Sequence, residues 1–493
     1  MLLGLDLGSS SVKAVILDPA TGKTVASATA PAEEMAISAL HAGWAEQDPE
    51  TWWKYVLEAI ALIRRASPAA VDSIKAIGIS YQMHGLVCVD RAGKPLRPSI
   101  IWCDSRAVAI GERAFQELGS SYCTGHLLNS PGNFTASKLR WVKENEPGVF
   151  GQIHKVMLPG DYIAYRLTGE ICTTATGLSE GMMWDFKEGT PAGRLLDHYG
   201  IPSDMLATVT EVFAPQGMVT AAVAAETGLP TGIPVSYRAG DQPNNAFSLN
   251  VLNPGETAAT AGTSGVIYTV TESNVSDPRS RVNTFLHVNH TEELHRNGIL
   301  LCINGTGILN SWLRKTLGGL DYDTMNNEAK TAPIGASGLS ILPFGNGSER
   351  ILENRNPGAS VHGLDLNRHS RAHLLRAAQE GIVFAMAYGF GILRNMGAGT
   401  EVVRAGKANM FLSPLFREAF VNTLQVPLEL YDTNGAAGAA LGAGIGAGVF
   451  SSFPEAFEGL GLVSTEEPDP RVIPEYRDAC RLWTERLDKL AVN

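Results

Sequence analysis

The chain is poor in the features that mark several common protein classes. Its 493 residues include only six cysteines, Cys88, Cys103, Cys123, Cys172, Cys302 and Cys480, with no C-x-x-C pair and no zinc-type spacing. A disulfide framework is excluded, and the expectation is reduced, individually buried thiols in a cytoplasmic protein. Neither H-E-x-x-H nor G-x-G-x-x-G occurs, which removes the zinc-protease and dinucleotide-binding fingerprints. Gly22-Lys23-Thr24 looks like the end of a phosphate loop, but the glycine required five positions earlier is Leu17.

Basic charge is also scarce: 39 Lys and Arg stand against 50 Asp and Glu, a net charge of −11. An acidic surface argues against a nucleic-acid or anionic-membrane partner and leaves room for a local phosphate pocket. No export signal opens the chain, because Met1-Leu2-Leu3-Gly4-Leu5 is interrupted by Asp6. The longest low-polarity stretch, Gly435 to Phe450, is shorter than the roughly 20 residues a bilayer requires. Its small-residue spacing (Gly438, Gly442, Gly446) therefore predicts a close-packed interior helix.

Against these absences stands a clear alternation of elements. Residues 2–7 read as a strand, Gly8-Ser9-Ser10-Ser11 as a tight turn, and Val12 to Leu17 as a second strand. Asp48-Pro49-Glu50 is a helix start, followed by Trp53, Val56, Leu57 and Ile60 on one helical face. Ala76 to Ser80 is a buried strand that delivers Gln82-Met83-His84-Gly85 into a loop. The class is α/β. A second strand–turn–strand unit, Thr257 to Ala261, Gly262-Thr263-Ser264-Gly265 and Val266 to Val270, heads the second half. A duplicated domain follows, divided near Asn250 to Gly255 into 1–250 and 251–493. Pro474 to Val492 reads as an amphipathic closing helix packed across the two lobes. His287, His290 and His295 look like metal ligands, yet on a strand 287 and 290 face opposite sides, so they are read as ordinary strand histidines.

Two constellations carry chemistry. The turn after Asp6 offers backbone N–H groups, serine hydroxyls and Lys13 to phosphate oxygens, with a carboxylate alongside that suits Mg²⁺. Arg238-Ala239-Gly240-Asp241-Gln242 places a strand-end carboxylate where it can take a proton from a hydroxyl, unless Asp241 merely caps the helix after it.

The opening Gly4-Leu5-Asp6-Leu7-Gly8-Ser9-Ser10-Ser11-Val12-Lys13 resembles the start of the FGGY carbohydrate kinases. Gln82-Met83-His84-Gly85 and Trp102-Cys103-Asp104-Ser105-Arg106 resemble the branch that acts on xylulose. Phe134-Thr135-Ala136-Ser137-Lys138-Leu139-Arg140-Trp141-Val142 is similar to the first family signature, and Val361-His362-Gly363-Leu364 with Glu380-Gly381 to the second.

The resemblance implies two ribonuclease-H-like domains of the actin and hexokinase type around a central cleft. The first, 1–250, would hold sugar and phosphate; the second, 251–493, would hold the nucleotide and end in the closing helix. It implies ATP and Mg²⁺, a sugar acceptor, no nucleic acid, no membrane, and either one chain or a homodimer. Asp241 would be the general base and Asp6 the metal carboxylate, converging from separate lobes. Met83, His84, Asp104, Asn133, Asp241 and Gln242 would face the sugar, with the ring of His84 as a directional donor. Gly8, Ser9, Ser10, Lys13, Gly262, Thr263, Gly307, Ser311, Gly406 and Asn409 would bind the nucleotide.

The implied reaction is phosphorylation of D-xylulose to D-xylulose 5-phosphate. Alternatives are another polyol or sugar acid (ribulose, gluconate, glycerol), or a catalytically silent sugar-binding regulator. Departures from the family pattern fall at Gln242, where asparagine is usual, and at Asn133, where glycine is usual. They also fall in Ala405-Gly406-Lys407-Ala408-Asn409 and Asn346-Gly347-Ser348-Glu349-Arg350-Ile351.

Overall fold

The hairpin at the start of the chain forms as the sequence requires. Leu2–Leu7 (β1) runs antiparallel to Val12–Leu17 (β2), and the turn closes with the Gly8 N–H donating to the Ser11 carbonyl at 3.0 Å. In the computed structural model, which describes residues 1–491, this hairpin lies at the centre of a five-stranded sheet. The other strands are Thr24–Ala30 (β3), Ala76–Tyr81 (β4) and Val235–Gly240 (β5), in the order β5-β4-β1-β2-β3. Both β1–β4 and β4–β5 are parallel. These three strands are buried along almost their whole length because both faces of the sheet are covered.

The two faces are covered by opposite means. On one side Leu3, Leu5 and Leu7 pack with Trp52, Trp53, Val56 and Ile60 of the helix Pro49–Ala66 (α1), whose N-cap Asp48 accepts from the Glu50 N–H as its Asp-Pro-Glu start predicts. On the other side Gly4 and Gly78 are direct partners on neighbouring strands, and the helix Gly435–Gly446 lies on them. A Cβ on Gly4 would sit 1.7 Å from the Ala436 carbonyl oxygen, and one on Gly78 1.9 Å from that of Ala439. From the helix side, Gly442 seats the Tyr237 ring and Gly446 the Ser236 carbonyl. The glycines and alanines of this segment therefore serve backbone-to-backbone packing. No helix among the described residues is long and apolar enough to cross a membrane.

The chain forms two compact units, the first being Met1–Asn250 with Phe285–Asn297 and Thr433–Leu460. Val251–Thr284, Gly298–Asp432 and the chain from Gly461 on make the second. Its sheet contains Glu256–Ala261 (β6), Gly265–Thr271 (β7), Asn283–Leu286 (β8), Asn297–Ile303 (β9), Val402–Gly406 (β10), Leu428–Tyr431 (β11) and Leu462–Glu466 (β12). The order is β8-β9-β7-β6-β10-β11-β12, with β6–β7 antiparallel and β6–β10 and β10–β11 parallel. The run β9-β7-β6-β10-β11 repeats the order β3-β2-β1-β4-β5 of the first sheet. Each unit thus carries a ribonuclease-H-like sheet, and the two tight turns are the same structural turn in two copies.

Three expectations are corrected. The helix Ile473–Ala491, expected to pack across two lobes, is part of the second unit: Tyr476, Trp483 and Leu487 are buried in that unit's core, and the Trp483 indole donates to the Ile341 carbonyl at 2.9 Å. Of the segment expected to form it, Val492 lies outside the described residues. β8 stops at Leu286, so His287 and His290 are turn residues, linked by a bond from the His290 N–H to the His287 carbonyl at 3.0 Å. All six thiols are free, but only Cys88 and Cys123 are fully buried, and Cys103 is exposed on a loop.

Glycines with opposite surroundings give a paired test of this packing. Gly78→Ala is expected to cost about 3 kcal/mol or more, because the new methyl meets backbone that cannot rotate away. Gly391→Ala lies inside the helix Arg371–Asn395 with nothing within 4 Å of the new methyl, and is expected to add roughly 0.5–1 kcal/mol. Denaturant midpoints of the two variants against the parent protein check both signs.

Candidate active site

Strand parity decides what faces the glycine–alanine helix. Residues of β1 alternate, so Asp6 points to the same face as Gly4, and its register partner is Ser80 of β4. The Ser80 hydroxyl donates to Asp6 Oδ1 at 2.8 Å. Gly435, the first residue of the glycine–alanine helix, stands so close that a Cβ there would lie 2.7 Å from Asp6 Oδ2. The positive end of that helix thus meets the carboxylate. Asp241 follows directly on β5 and opens the helix Asp241–Ser248.

These carboxylates share one cavity of about 250 Å³, lined by Asp6, Gly8, Ser9, Ser10, Ser11, Lys13, Gln82, Trp102 and Asp241. Every lining residue belongs to the first unit. The expected approach of Asp6 and Asp241 from separate lobes is therefore corrected: they stand at the ends of β1 and β5 in one sheet, separated only by β4. Gln82 and Trp102 had been legible only as parts of motifs. The structure brings both to the cavity wall, Trp102 half exposed and its indole 3.5 Å from Ser9 Oγ.

The two acids differ in character. Burial and the neighbouring Asp6 charge push Asp241 up to about 7, against hydrogen bonds from Gln242 that hold it down. Asp6 is raised by burial, with the Ser80 hydroxyl and Lys13 opposing. A carboxyl poised near neutrality beside an acceptor site has the protonation behaviour of a general base. Asp6, an oxygen donor beside serine hydroxyls and a lysine, fits a hard cation that brings most of its own ligands. Among the described residues no group of three or more His, Cys, Asp or Glu could hold a metal unaided.

Next to Asp241, Gly240 leaves room for two neighbouring side chains. A Cβ there would lie 2.3 Å from Glu180 Oε2 and 2.6 Å from Met83 Cγ. Met83 is buried, while His84 is half-buried in the left-handed region at φ 62°, its ring against Phe134 and Phe285 at 4.8 and 5.4 Å. His84 Nδ1 lies 2.9 Å from the Glu180 carbonyl oxygen, which can only accept. Nδ1 therefore carries a proton, and this bond turns the ring on the loop.

Lys138 fixes the same loop from behind. Its fully buried ammonium donates to the carbonyls of His84 and Ile101, both at 2.9 Å. Burial pushes it down to about 7, with Asp104 opposing.

Asp104 is placed otherwise than expected. Its fully buried carboxylate takes the Arg106 guanidinium through both oxygens and the Ala45 N–H at 2.6 Å, so it organises the loop and does not face an acceptor. Arg106 is in turn stacked on Trp44 and Trp141 at 3.8 and 4.7 Å. Asn133 donates to the Asp104 carbonyl, and its own Oδ1 is buried without a partner. Gly177-Leu178-Ser179-Glu180-Gly181 spells a serine-hydrolase pattern. Ser179, however, is buried in a short helix and its hydroxyl donates to the Thr176 carbonyl at 2.7 Å, so it is no nucleophile.

The second unit gathers its own set. The Gly307 N–H and Thr306 Oγ1 both donate to the Gly262 carbonyl at 2.8 Å, and Thr306 also reaches the Thr263 carbonyl at 3.2 Å. A Cβ on Gly262 would lie 3.5 Å from Asn409 Nδ2. Gly262, Thr263, Gly307 and Asn409 are thus brought together. Ser311 sits one turn into the helix Gly307–Thr316, and Gly406 ends β10 three residues before Asn409.

Residues 1–248 match the family model described as the FGGY family of carbohydrate kinases, N-terminal domain. The chain is 30% identical over 498 residues to the xylulose kinase of Klebsiella pneumoniae, covering 99% of each chain. Its fold is similar to a crystal structure described as a "xyloylose kinase" from Brucella ovis, at 28% identity and TM-score 0.90, covering 100% of this chain and 99% of that one. Xylulose kinase from Rhodospirillum rubrum gives 27% identity and TM-score 0.88, covering 99% and 98%.

The raised Asp241 makes a stability prediction. The folded state keeps a proton on Asp241 up to about pH 7, whereas the unfolded chain releases it near pH 4, so stability contributed by this group falls as pH rises between those values. Asp241→Asn, which cannot ionise, is expected to melt higher than the parent protein at pH 8, with the gap closing toward pH 4.5. Thermal unfolding across that pH range reads the difference.

Proposed function

The chain belongs to the FGGY family of carbohydrate kinases, and on that footing we propose that it moves the γ-phosphoryl group of ATP to a hydroxyl of a five-carbon ketose, D-xylulose, giving D-xylulose 5-phosphate. The observation that carries this reading is the polar cavity in which Asp241, raised to about 7, meets Asp6, Lys13 and the serine turn. The names of the related proteins and the Met83–His84 pair beside Asp241 support the choice of acceptor.

Phosphoryl transfer asks little covalent chemistry of a protein, so positioning and charge neutralisation carry the rate. The acceptor hydroxyl gives its proton to Asp241 as its oxygen bonds the γ-phosphorus. The bond between the γ-phosphorus and the β–γ bridging oxygen breaks, and ADP leaves with that oxygen. Lys13 and the Gly8–Ser11 turn hold phosphate oxygens. Mg²⁺, held by Asp6 and the phosphates, would neutralise nucleotide charge. Met83 packs on the sugar carbons, the His84 ring hydrogen-bonds a hydroxyl, and Gln242 and Asn133 add polar contacts. In the second unit Gly262, Thr263, Gly307, Ser311, Gly406 and Asn409 bind the nucleotide.

A coupled ADP-release assay across pentuloses and polyols, with Mg²⁺ present, tests the acceptor. D-xylulose is expected to give the highest kcat/KM, and a flat response to every sugar would sink the reading. Asp241→Ala is expected to lower kcat by roughly a thousandfold with ATP affinity nearly unchanged. In the parent protein kcat/KM is expected to rise with pH up to about 7, because the base works only when deprotonated.

A further inference from the structure

The Gly8–Ser11 turn lines the cavity, but the group that sets the direction of its peptides stands behind the cavity wall. Gln47 is 4% exposed and belongs to the two-residue strand Glu46–Gln47, which runs antiparallel to Ser99–Ile100 and leads straight into Asp48, the N-cap of α1. Both ends of its side-chain amide are fully engaged. Nε2 donates to the Ser9 carbonyl at 2.7 Å and to the Ala36 carbonyl at 3.3 Å. Oε1 accepts from the Trp52 indole at 3.0 Å and from the Gln82 amide at 3.2 Å. This set allows one orientation of the amide, since the reverse would set its oxygen against two carbonyls and its nitrogen against an indole N–H.

The next carbonyl of the turn is anchored as well, by the Met35 N–H, which donates to the Ser10 carbonyl at 2.8 Å. In a trans peptide the carbonyl of one residue and the N–H of the next point opposite ways. The Ser10 N–H is therefore turned away from Gln47 and the Ser11 N–H away from Met35, and neither has a partner among the described residues. Successive free N–H groups in a turn form a concavity suited to an anion.

We propose that Gln47 is a positioning residue for the phosphate chain of the nucleotide: it fixes the Ser9 carbonyl and so keeps the Ser10 N–H, beside that of Ser11, free for a phosphate oxygen. This rests on the reading of the Gly8–Ser11 turn as a phosphate site.

A serine turn has no such direction of its own. Were the Ser9–Ser10 peptide to flip, it would present a carbonyl oxygen where an anion must bind, and the attraction would become a repulsion. Holding the peptide in advance removes the reorganisation that a mobile turn would undergo on binding. Gln47 does this from outside the cavity, and through Gln82 the same amide also holds a second residue of the cavity wall. Methionine at 47 would fill nearly the same volume with none of these bonds, which separates the positioning role from packing.

The test is nucleotide binding by the full chain, measured by calorimetry with Mg²⁺ and a β,γ-imido analogue of ATP. Gln47→Met is expected to weaken the analogue by roughly tenfold or more, while adenosine, which has no phosphates, stays within about twofold. In turnover, KM for ATP is expected to rise by roughly tenfold or more and KM for the ketopentose by less than about threefold. In ¹⁵N-serine spectra, the Ser10 and Ser11 amide signals, assigned through Ser10→Ala and Ser11→Ala, are expected to move downfield with the analogue in the parent protein and to stay in place in Gln47→Met. Should Gln47→Met not fold, Gln47→Glu keeps the shape and exchanges only the donating nitrogen for an oxygen, and the same losses are expected.

Unchanged affinity for the analogue, or an equal loss for analogue and adenosine, overturns the proposal. If the parent protein neither binds the analogue nor turns over a sugar, the kinase reading is wrong. Inorganic pyrophosphate then decides Gln47 through the same serine signals: a shift in the parent that is lost in the variant supports the role, and no shift, or the same shift in both, overturns it.

Discussion

The contact on which the rest of the first unit depends is backbone against backbone. Gly4 and Gly78, paired across β1 and β4, let the helix Gly435–Gly446 lie directly on the sheet. Only glycine allows that approach, since any Cβ would fall inside the van der Waals radius of a carbonyl oxygen. The seating has a chemical consequence at one end. It brings the first residue of the helix against the Asp6 carboxylate, on the sheet face that Asp6 shares with Gly4. The packing device and the cavity-lining acid are set by the same strand parity.

Around that contact the site is built from ends of elements. Asp6 stands near the end of β1, Ser80 near the end of β4, and Asp241 just past β5, so three adjacent strands present their carboxyl ends together. Open α/β sheets commonly place ligands there, because short loops and helix starts leave polar backbone groups free to face a cavity. Behind this front the loops are held by fully buried charges. Lys138 ties the Met83–His84 loop to Ile101, and Asp104 with Arg106 holds the Trp102 loop between Trp44 and Trp141. Breaking one partner of such a buried set strands the other charge, which makes these loops stiff supports for the side chains they carry.

Much of this was legible in the chain itself. The two hairpins, the Asp48–Pro49 helix start and the small-residue interior helix each follow from local rules of propensity, capping and periodicity. Asp6, Lys13 and the serine turn are adjacent in sequence, and strand alternation sets their faces. Asp241 was recognisable as a strand-end acid that converges with Asp6, but not as one standing in the same sheet, because strand order in a parallel sheet is not written in the order of the chain.

Sequence by itself therefore determined the α/β class, the doubled architecture and the kinase family, all of which rest on short-range pattern. Tertiary structure decided what depends on distant residues meeting. It spent the Asp104 carboxylate on Arg106, turned the His84 ring onto the Glu180 carbonyl, and raised the Asp241 carboxyl by burying it near a second acid. Those properties arise from desolvation and through-space contact, which fall off with distance in space and are blind to separation along the chain.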